Sequence, residues 1–482
     1  MERLNILLIT ADQMRGDCIG ALGHPDVETP NLDTMVNQGV AFTRCYSATP
    51  TCIPARAALF TGQSQEHHGR VGYQDGVDWN YPITLPGEFT RAGYHTHCAG
   101  KMHVWPPRSL MGFCSVDLHD GFLPYRSTNT PAARWMGRID DYLPDLQREL
   151  GPQAGINDLG IGCNSWVARP WDGPERLHPT NWTVQKSADF LRRRDTTRPF
   201  FLWTSFVAPH PPFLPPAPYY EMYRDRDLRP PVIGAWAQRP DPSRNTADGF
   251  TAALSERQIR QMQAGYYGSI THLDHQIGRL LRELKDEGVL NDTVILFTSD
   301  HGEMLGDHYM LRKSQAYQGS IHVPLVIYDP GRHLGLPAGL RCEALAELRD
   351  VMPTLLTAAG VPIPETVDGI DLTACAAGAP GRSWLHGEHT AQQGPVHSMQ
   401  YILMEEFKYI WYSDTGREQL FDLEHDPGEC RDLASEPAFC KQKQTMKEQL
   451  IQVLRGRPEG YSDGKELKTG RPPLCVLPKK AI

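Results

Sequence analysis

The stretch Cys52-Ile53-Pro54-Ala55-Arg56, followed by the apolar run Ala57-Ala58-Leu59-Phe60 and then by Thr61-Gly62, is where this chain is richest in chemistry. A cysteine stands just ahead of a proline that can open a helix, and an arginine falls in the first turn. The free N–H groups of a helix start, together with a guanidinium, make a pocket for an anion. Taken alone, the five residues also fit a buried structural thiol beside a surface arginine. What separates the two readings is whether other parts of the chain supply a metal site, acids and further cations.

They do. Asp12 with Gln13, and Asp300 with His301, each close a short apolar run and offer hard oxygen and imidazole ligands to one divalent cation. A lone aspartate at a strand end is more commonly a helix N-cap, but two such acid-polar pairs favour a metal. Lys101 and His103 follow a third run, and His210 a fourth. Any single histidine among 19 is more often a packed bystander, so the case rests on position.

Cys52, Pro54, Ala55 and Arg56 match the Cys-x-Pro-Ser/Ala-Arg modification signature of the type I sulfatases, a family of the alkaline phosphatase superfamily. The resemblance extends from Leu4 to about Leu433. Thr10-Ala11-Asp12-Gln13 with Arg15 and Asp17 is similar to the family's first metal-binding segment, and Ser299-Asp300-His301-Gly302-Glu303 with Gly306-Asp307-His308 to its second. Gly93-Tyr94-His95-Thr96 leading to Gly100-Lys101-x-His103 resembles the segment with a catalytic lysine and histidine. Pro209-His210-x-Pro212 resembles a further histidine segment, and Lys313 sits where the family places its second lysine. Gln419-Leu420-Phe421-Asp422-Leu423 with Asp426-Pro427 completes the match.

The resemblance implies that Cys52 is converted by a formylglycine-generating maturation enzyme to Cα-formylglycine. One hydroxyl of its hydrated aldehyde attacks the sulfur of a sulfate monoester, and the other is later deprotonated to expel sulfate. The catalytic set would be Cys52, Arg56, Lys101, His103, His210 and Lys313. Arg56 and Lys101 would hold diol and sulfate oxygens, and Lys313 the sulfate and bridging oxygen. His210 would protonate the leaving group and His103 would serve the second hydroxyl, an assignment the two histidines could exchange. Asp12, Gln13, Asp300, His301 and residue 52 would bind the metal. Many sulfatases carry a second Asp and an Asn where this chain has Gln13 and His301, a change also found in branches with choline sulfatases and phosphonate monoester hydrolases. The lower negative charge weakens calcium and favours manganese or magnesium, with calcium still first.

The substrate reading is a small-molecule or saccharide sulfate ester, bound by Lys101, His210 and Lys313, with Trp105 and Arg108 as leaving-group contacts and His67, His68 and Tyr73 as further candidates. One rival is a phosphonate monoester or phosphodiester hydrolase using the same site. The other is a non-catalytic sulfated-glycan-binding protein in which Cys52 stays a thiol.

These residues need elements that bring them together. The runs Ile6 to Thr10, Tyr94 to Cys98, Phe200 to Val207 and Val294 to Thr298 read as buried strands, each ending in the polar residues above. Interleaved with helical patterns, they predict an α/β fold, a large mixed, mostly parallel sheet sandwiched by helices, whose ligands lie at the carboxyl ends of the strands. Helices are expected over Thr183 to Arg194, Ser255 to Glu287 with a Ser255/Gln258 capping box, and Arg349 to Ala359. Residues 104–179 and 211–249 read as long loops bordering the site. Alternation over Met399 to Leu403, Tyr409 to Tyr412 and Gln419 to Asp422, followed by a helix from about Phe439 to Leu454, predicts a small C-terminal antiparallel sheet plus helix. The expected division is a catalytic domain over 1–395 and a subdomain with its tail over 396–482, the tail from Gly456 lying on the surface or disordered.

At 482 residues the chain can bury a large core. A net charge of −9 without basic blocks argues against nucleic acid as a partner. Eleven cysteines without a Cys-x-x-Cys pair argue against a disulfide framework or zinc module. No run is long enough for a membrane span, and Asn5 to Asp12 reads as a strand in place of a signal peptide, so the expected location is cytoplasmic. Composition carries no signal for the oligomeric state.

Overall fold

The computed structural model describes residues 3–121, 137–155, 161–391 and 397–478. The main chain forms fourteen strands among these residues: β1 (Asn5–Asp12), β2 (Val40–Phe42), β3 (Cys45–Tyr46), β4 (His95–Gly100), β5 (Ser115–Leu118), β6 (Phe200–Pro209), β7 (Thr293–Ser299), β8 (Leu325–Tyr328), β9 (Leu340–Cys342), β10 (Ala346–Glu347), β11 (Trp384–His389), β12 (Met399–Met404), β13 (Phe407–Tyr412) and β14 (Glu418–Asp422). Eight of them build one sheet in the order β5-β4-β6-β1-β7-β8-β2-β9. Pairing is parallel throughout except where β8 runs against β7 and β2.

Alternate residues of the central strands enter separate cores. Ile6, Leu8, Phe201, Trp203, Val294 and Leu296 face one layer, and Leu7, Ile9, Leu202, Ile295 and Phe297 the other. Burial on both faces explains why these strands read as unbroken apolar runs. The Glu256–Asp286 helix covers the second face, with Leu273, Ile277, Leu280 and Leu284 fully buried. It starts as expected, the Ser255 hydroxyl accepting from the Gln258 amide while the Ser255 amide donates to Gln258 Oε1. The other two expected helices form over Pro179–Arg193 and Val351–Ala358.

The long loops contain more structure than their composition suggested. A strand and the Tyr142–Leu150 helix lie within 104–179, and the Ala217–Arg224 helix lies within 211–249. Prolines placed in or just before a first helical turn, Pro144 and Pro216, initiate those helices and do not break them. Residues 122–136 and 156–160 of the first loop lie outside the described residues, as does the expected domain boundary at 395/396.

The order β11-β12-β13-β14 makes a separate antiparallel sheet. One of its faces packs on the Cys440–Val453 helix through Ile402, Trp411, Met446 and Leu450, and the other on Tyr46, Tyr317 and Ile321 of the main body. The tail is a correction to the sequence reading: Arg457, Glu459, Tyr461, Cys475 and Leu477 are buried. Its Gly, Pro and Lys content hid anchors spaced too widely to form a pattern. The first is the Arg457 guanidinium, which grips both oxygens of Glu388 at 2.7 and 2.8 Å and also meets Glu459.

No helix among the described residues is long and apolar enough to cross a membrane. All eleven cysteines are free, most of them buried.

The Arg457 cluster yields a stability prediction. Removing one partner of a buried, hydrogen-bonded ion pair costs about 3–5 kcal/mol because the other charge is stranded. Arg457→Met should therefore lower the urea midpoint clearly, whereas Arg431→Met, which breaks an exposed pair with Glu436, should leave it unchanged.

Candidate active site

Four adjacent strands deliver the polar residues. In the order β4-β6-β1-β7 their carboxyl ends carry Lys101, His210, Asp12 and Asp300. The parallel register pairs Ala11 with Ser299, so Asp12 and Asp300 emerge side by side. The Cys52–Thr61 helix starts against this edge, with Cys52 as its first residue and Arg56 in the next turn, both buried.

Cys52 Sγ lies 3.2 Å from His301 Nε2, 3.7 Å from Asp12 Oδ1 and 3.8 Å from Lys101 Nζ. Lys101 donates to Asp12 Oδ2. Arg56 Nε donates to Asp300 Oδ2 at 3.0 Å, and its Nη1 to the Lys101 carbonyl at 2.8 Å and Ser205 Oγ at 3.0 Å. Lys313 Nζ sits between Gln13 Oε1 at 2.6 Å and His210 Nε2 at 2.7 Å. All of these side chains are buried.

The hydrogen bonds also fix ring protons. His301 Nδ1 meets the Gly302 carbonyl at 3.0 Å, and because a carbonyl only accepts, Nδ1 carries hydrogen and Nε2 turns toward Cys52 and the carboxylates. His210 Nδ1 likewise donates to the Pro211 carbonyl at 2.7 Å, leaving Nε2 to accept from Lys313. Burial and the neighbouring Lys313 ammonium pull His210 down to about 3, consistent with a neutral ring.

Charges of opposite sign offset one another here. Burial pushes the Cys52 thiol up, as does Asp12, but Lys101, Lys313 and His301 outweigh them and hold it well below an ordinary thiol. Asp12 is lowered despite burial, chiefly by Lys101. Asp300 is raised, first by burial and then by Asp12. His103 is raised against its burial by Asp75 and Cys52.

Asp12, Cys52, Asp300 and His301 bring their ligand atoms within 4.8 Å of one another. At an effective dielectric of about 20, two carboxylate charges at that separation repel by about 3.5 kcal/mol, which a bound cation would reverse. Two oxygens, an imidazole nitrogen and residue 52 suit a divalent ion, and the set fits the metal expected from sequence. The Gln13 carbonyl oxygen is held by Lys313, while its amide nitrogen donates to Glu303. The buried Arg56 Nη2 has no partner among the described residues and keeps an N–H for an anionic oxygen.

Not every substrate candidate joins this cluster. Arg108 is committed to Asp141 at 2.9 and 3.0 Å, His67 to Asp368 at 2.7 Å, and His68 accepts from the Arg70 amide at 3.1 Å. Trp105 packs against the core, its carbonyl accepting from the Trp79 amide. Tyr73 stands with its ring 6.1 Å from that of His103.

Three supporting residues lie outside the sequence motifs. Asp120 accepts from the amides of Met102 and His103 at 2.8 and 2.9 Å, Ser205 accepts from Arg56, and the Tyr266 hydroxyl donates to the Gln13 carbonyl at 2.8 Å. Asp120 lies just past the end of β5, a signal that could have found it; Ser205 inside β6 and Tyr266 inside a long helix give none. Gln13 and His103 adopt left-handed backbones at φ 71° and 57°, strain that such contacts must hold.

Comparison with known proteins agrees with this geometry. The sulfatase family model matches residues 4–361, and that of the N-sulphoglucosamine sulphohydrolase C-terminal region matches 306–456. An arylsulfatase of Clostridium perfringens is 46% identical over 473 residues, which cover 97% of this chain and 98% of that protein. The multifunctional alkaline phosphatase superfamily protein PehA of Trinickia caryophylli is 31% identical, with 91% and 93% covered. The solved phosphonate monoester hydrolase of Agrobacterium radiobacter superimposes with a TM-score of 0.77 at 27% identity, covering 94% of this chain and 95% of that one. The chain therefore belongs to the sulfatase family of the alkaline phosphatase superfamily and is a sulfuric ester hydrolase.

Proposed function

We propose that this protein hydrolyses a small organic sulfate monoester, an aryl sulfate first, at the centre formed by Asp12, Gln13, Cys52, Asp300 and His301, with Cys52 matured to Cα-formylglycine. The observation that carries this reading is residue 52 itself, buried between a carboxylate, an imidazole and an ammonium within 3.8 Å. A sulfate monoester is a poor electrophile, so it needs an oxygen nucleophile, neutralised nonbridging oxygens and a proton for the leaving group. The maturation supplies the oxygen.

Calcium is the preferred ion, with manganese or magnesium as competitors. Bound there, the ion would act as a Lewis acid, lowering the pKa of an oxygen nucleophile and drawing charge from the sulfate. The remaining work falls to side chains. Arg56 offers its free Nη2 N–H to a sulfate oxygen, and Lys101 releases part of its hold on Asp12 to do the same. Lys313 donates to His210 Nε2, so a proton can pass from the ammonium through that nitrogen to the bridging oxygen as it leaves. His103, which Asp75 and Cys52 raise against its burial, takes a proton from residue 52 in the release step.

A second reading is supported by the Agrobacterium phosphonate monoester hydrolase, whose fold this chain shares over nearly its whole length. Paired aryl sulfate and aryl phosphonate kinetics separate the two. The sulfatase reading expects the higher kcat/KM on sulfate, and a large preference for phosphonate would replace it.

Cys52→Ala should abolish turnover, and the tryptic peptide bearing residue 52, made with a maturation enzyme, should carry the mass of an aldehyde; a persistent thiol in an active enzyme would contradict the account. Lys313→Met should lower kcat by about 10²–10³-fold, the usual loss for one preorganised donor. Exhaustive chelation should lower both activity and thermal midpoint. Calcium should restore both at a lower concentration than magnesium does.

A further inference from the structure

The C-terminal tail reaches back to the rim of the active site. Beyond residue 456, where neither family model extends, the chain passes Arg457 and returns to the segment that follows the first catalytic helix. There the Cys475 carbonyl accepts from the amides of Val71 and Gly72 at 2.9 and 3.1 Å, and the Leu477 amide donates to the Gly69 carbonyl at 2.7 Å. On the other side of the same segment the Thr390 amide donates to the Val71 carbonyl at 2.8 Å. Residues 69–72 are thus clasped between the end of β11 and the tail. The fit is close: a Cβ on Gly72 would lie 2.4 Å from the Thr390 carbonyl oxygen and 2.7 Å from Cys475 Sγ.

What the clasp holds is a loop over the site. Arg70, whose backbone bridges Val476, turns its guanidinium onto the carbonyls of Val77 and Asp78, each at 3.1 Å, and closes the turn between them. That turn carries Tyr73 and Asp75. Asp75 Oδ1 lies 3.5 Å from His103 Nε2, and its Oδ2 accepts from the Tyr73 hydroxyl at 2.6 Å. The His103 backbone is pinned by Asp120, and the Asp75 carboxylate faces its ring from the turn.

We propose that Cys475–Leu477 is a strap that seats the Tyr73–Asp75 turn on His103, making Asp75 a positioning residue for the sulfatase reaction. The inference rests on the role given to His103 above. The strap acts through the chain: tail to Val71 and Gly72, these to the turn, and the carboxylate to the imidazole. A ring held in one orientation keeps its nitrogen aimed at residue 52 in every turnover, and a freed ring spends part of its time elsewhere.

The test uses the full matured enzyme with an aryl sulfate and four variants: Asp75→Asn, Asp75→Glu, a chain lacking residues 474–482, and that truncation combined with Asp75→Asn. Loss of an orienting partner of a catalytic histidine should lower kcat by about tenfold or more in Asp75→Asn and in the truncation, with KM little changed and partial recovery in Asp75→Glu. Because both act on one contact, the double variant should be no slower than the slower single one. Wild-type kcat in Asp75→Asn, or in a truncated chain that circular dichroism shows to be folded, overturns the proposal, as does an additive double variant. Should the truncation fail to fold, Gly72→Ala, which wedges the clasp, takes its place with the same expected loss of kcat. Absence of sulfate ester turnover in the wild-type enzyme would instead sink the functional reading.

Discussion

The register of β1 against β7 forces two carboxylates together in a buried interior, and most of the surrounding structure answers that constraint. Asp12 and Asp300 have no exposure to solvent, so their mutual repulsion is little screened. Lys101 pairs with one and Arg56 with the other. Such an arrangement is costly to fold around unless a cation completes it, and it places residue 52 beside the point where the cation belongs. The same cations that offset the carboxylates can serve an incoming sulfate, so binding and folding use one set of charges.

Around this centre the protein restrains orientation more than it adds charge. Gly302 and Pro211 carbonyls fix the protons of His301 and His210. Glu303 and Lys313 hold opposite ends of the Gln13 amide, and Tyr266 holds its backbone. The strained backbone of Gln13 persists because these contacts over-determine it, and Asp120 does the same for His103. Preorganised donors of this kind do not need to reorganise as charge develops, which is where most electrostatic catalysis comes from.

Much of the site was legible in the sequence because strand ends are local signals. An apolar run broken by Asp12-Gln13 or Asp300-His301 names both the strand and its functional terminus, and Cys52 to Arg56 names the helix that faces them. What stayed hidden depends on contacts across hundreds of residues. Arg457 meets Glu388, and Cys475 meets Val71, through spacings that no periodicity reveals, so the tail read as surface. Likewise, Arg108 and His67 carry the chemistry of substrate contacts, but only the fold shows them paired with Asp141 and Asp368. The helix inside the first long loop was masked by composition: Pro144 reads as a breaker until it is seen in a first turn.

The central claim is tested most directly by anomalous diffraction from crystals of the matured enzyme grown with calcium or manganese. The account predicts one strong peak bounded by Asp12, Asp300, His301 and residue 52, with Lys101 drawn toward a bound anion. A map in which Lys101 still caps Asp12 and no peak lies between the two carboxylates, from crystals of an enzyme that turns over sulfate esters, would contradict it.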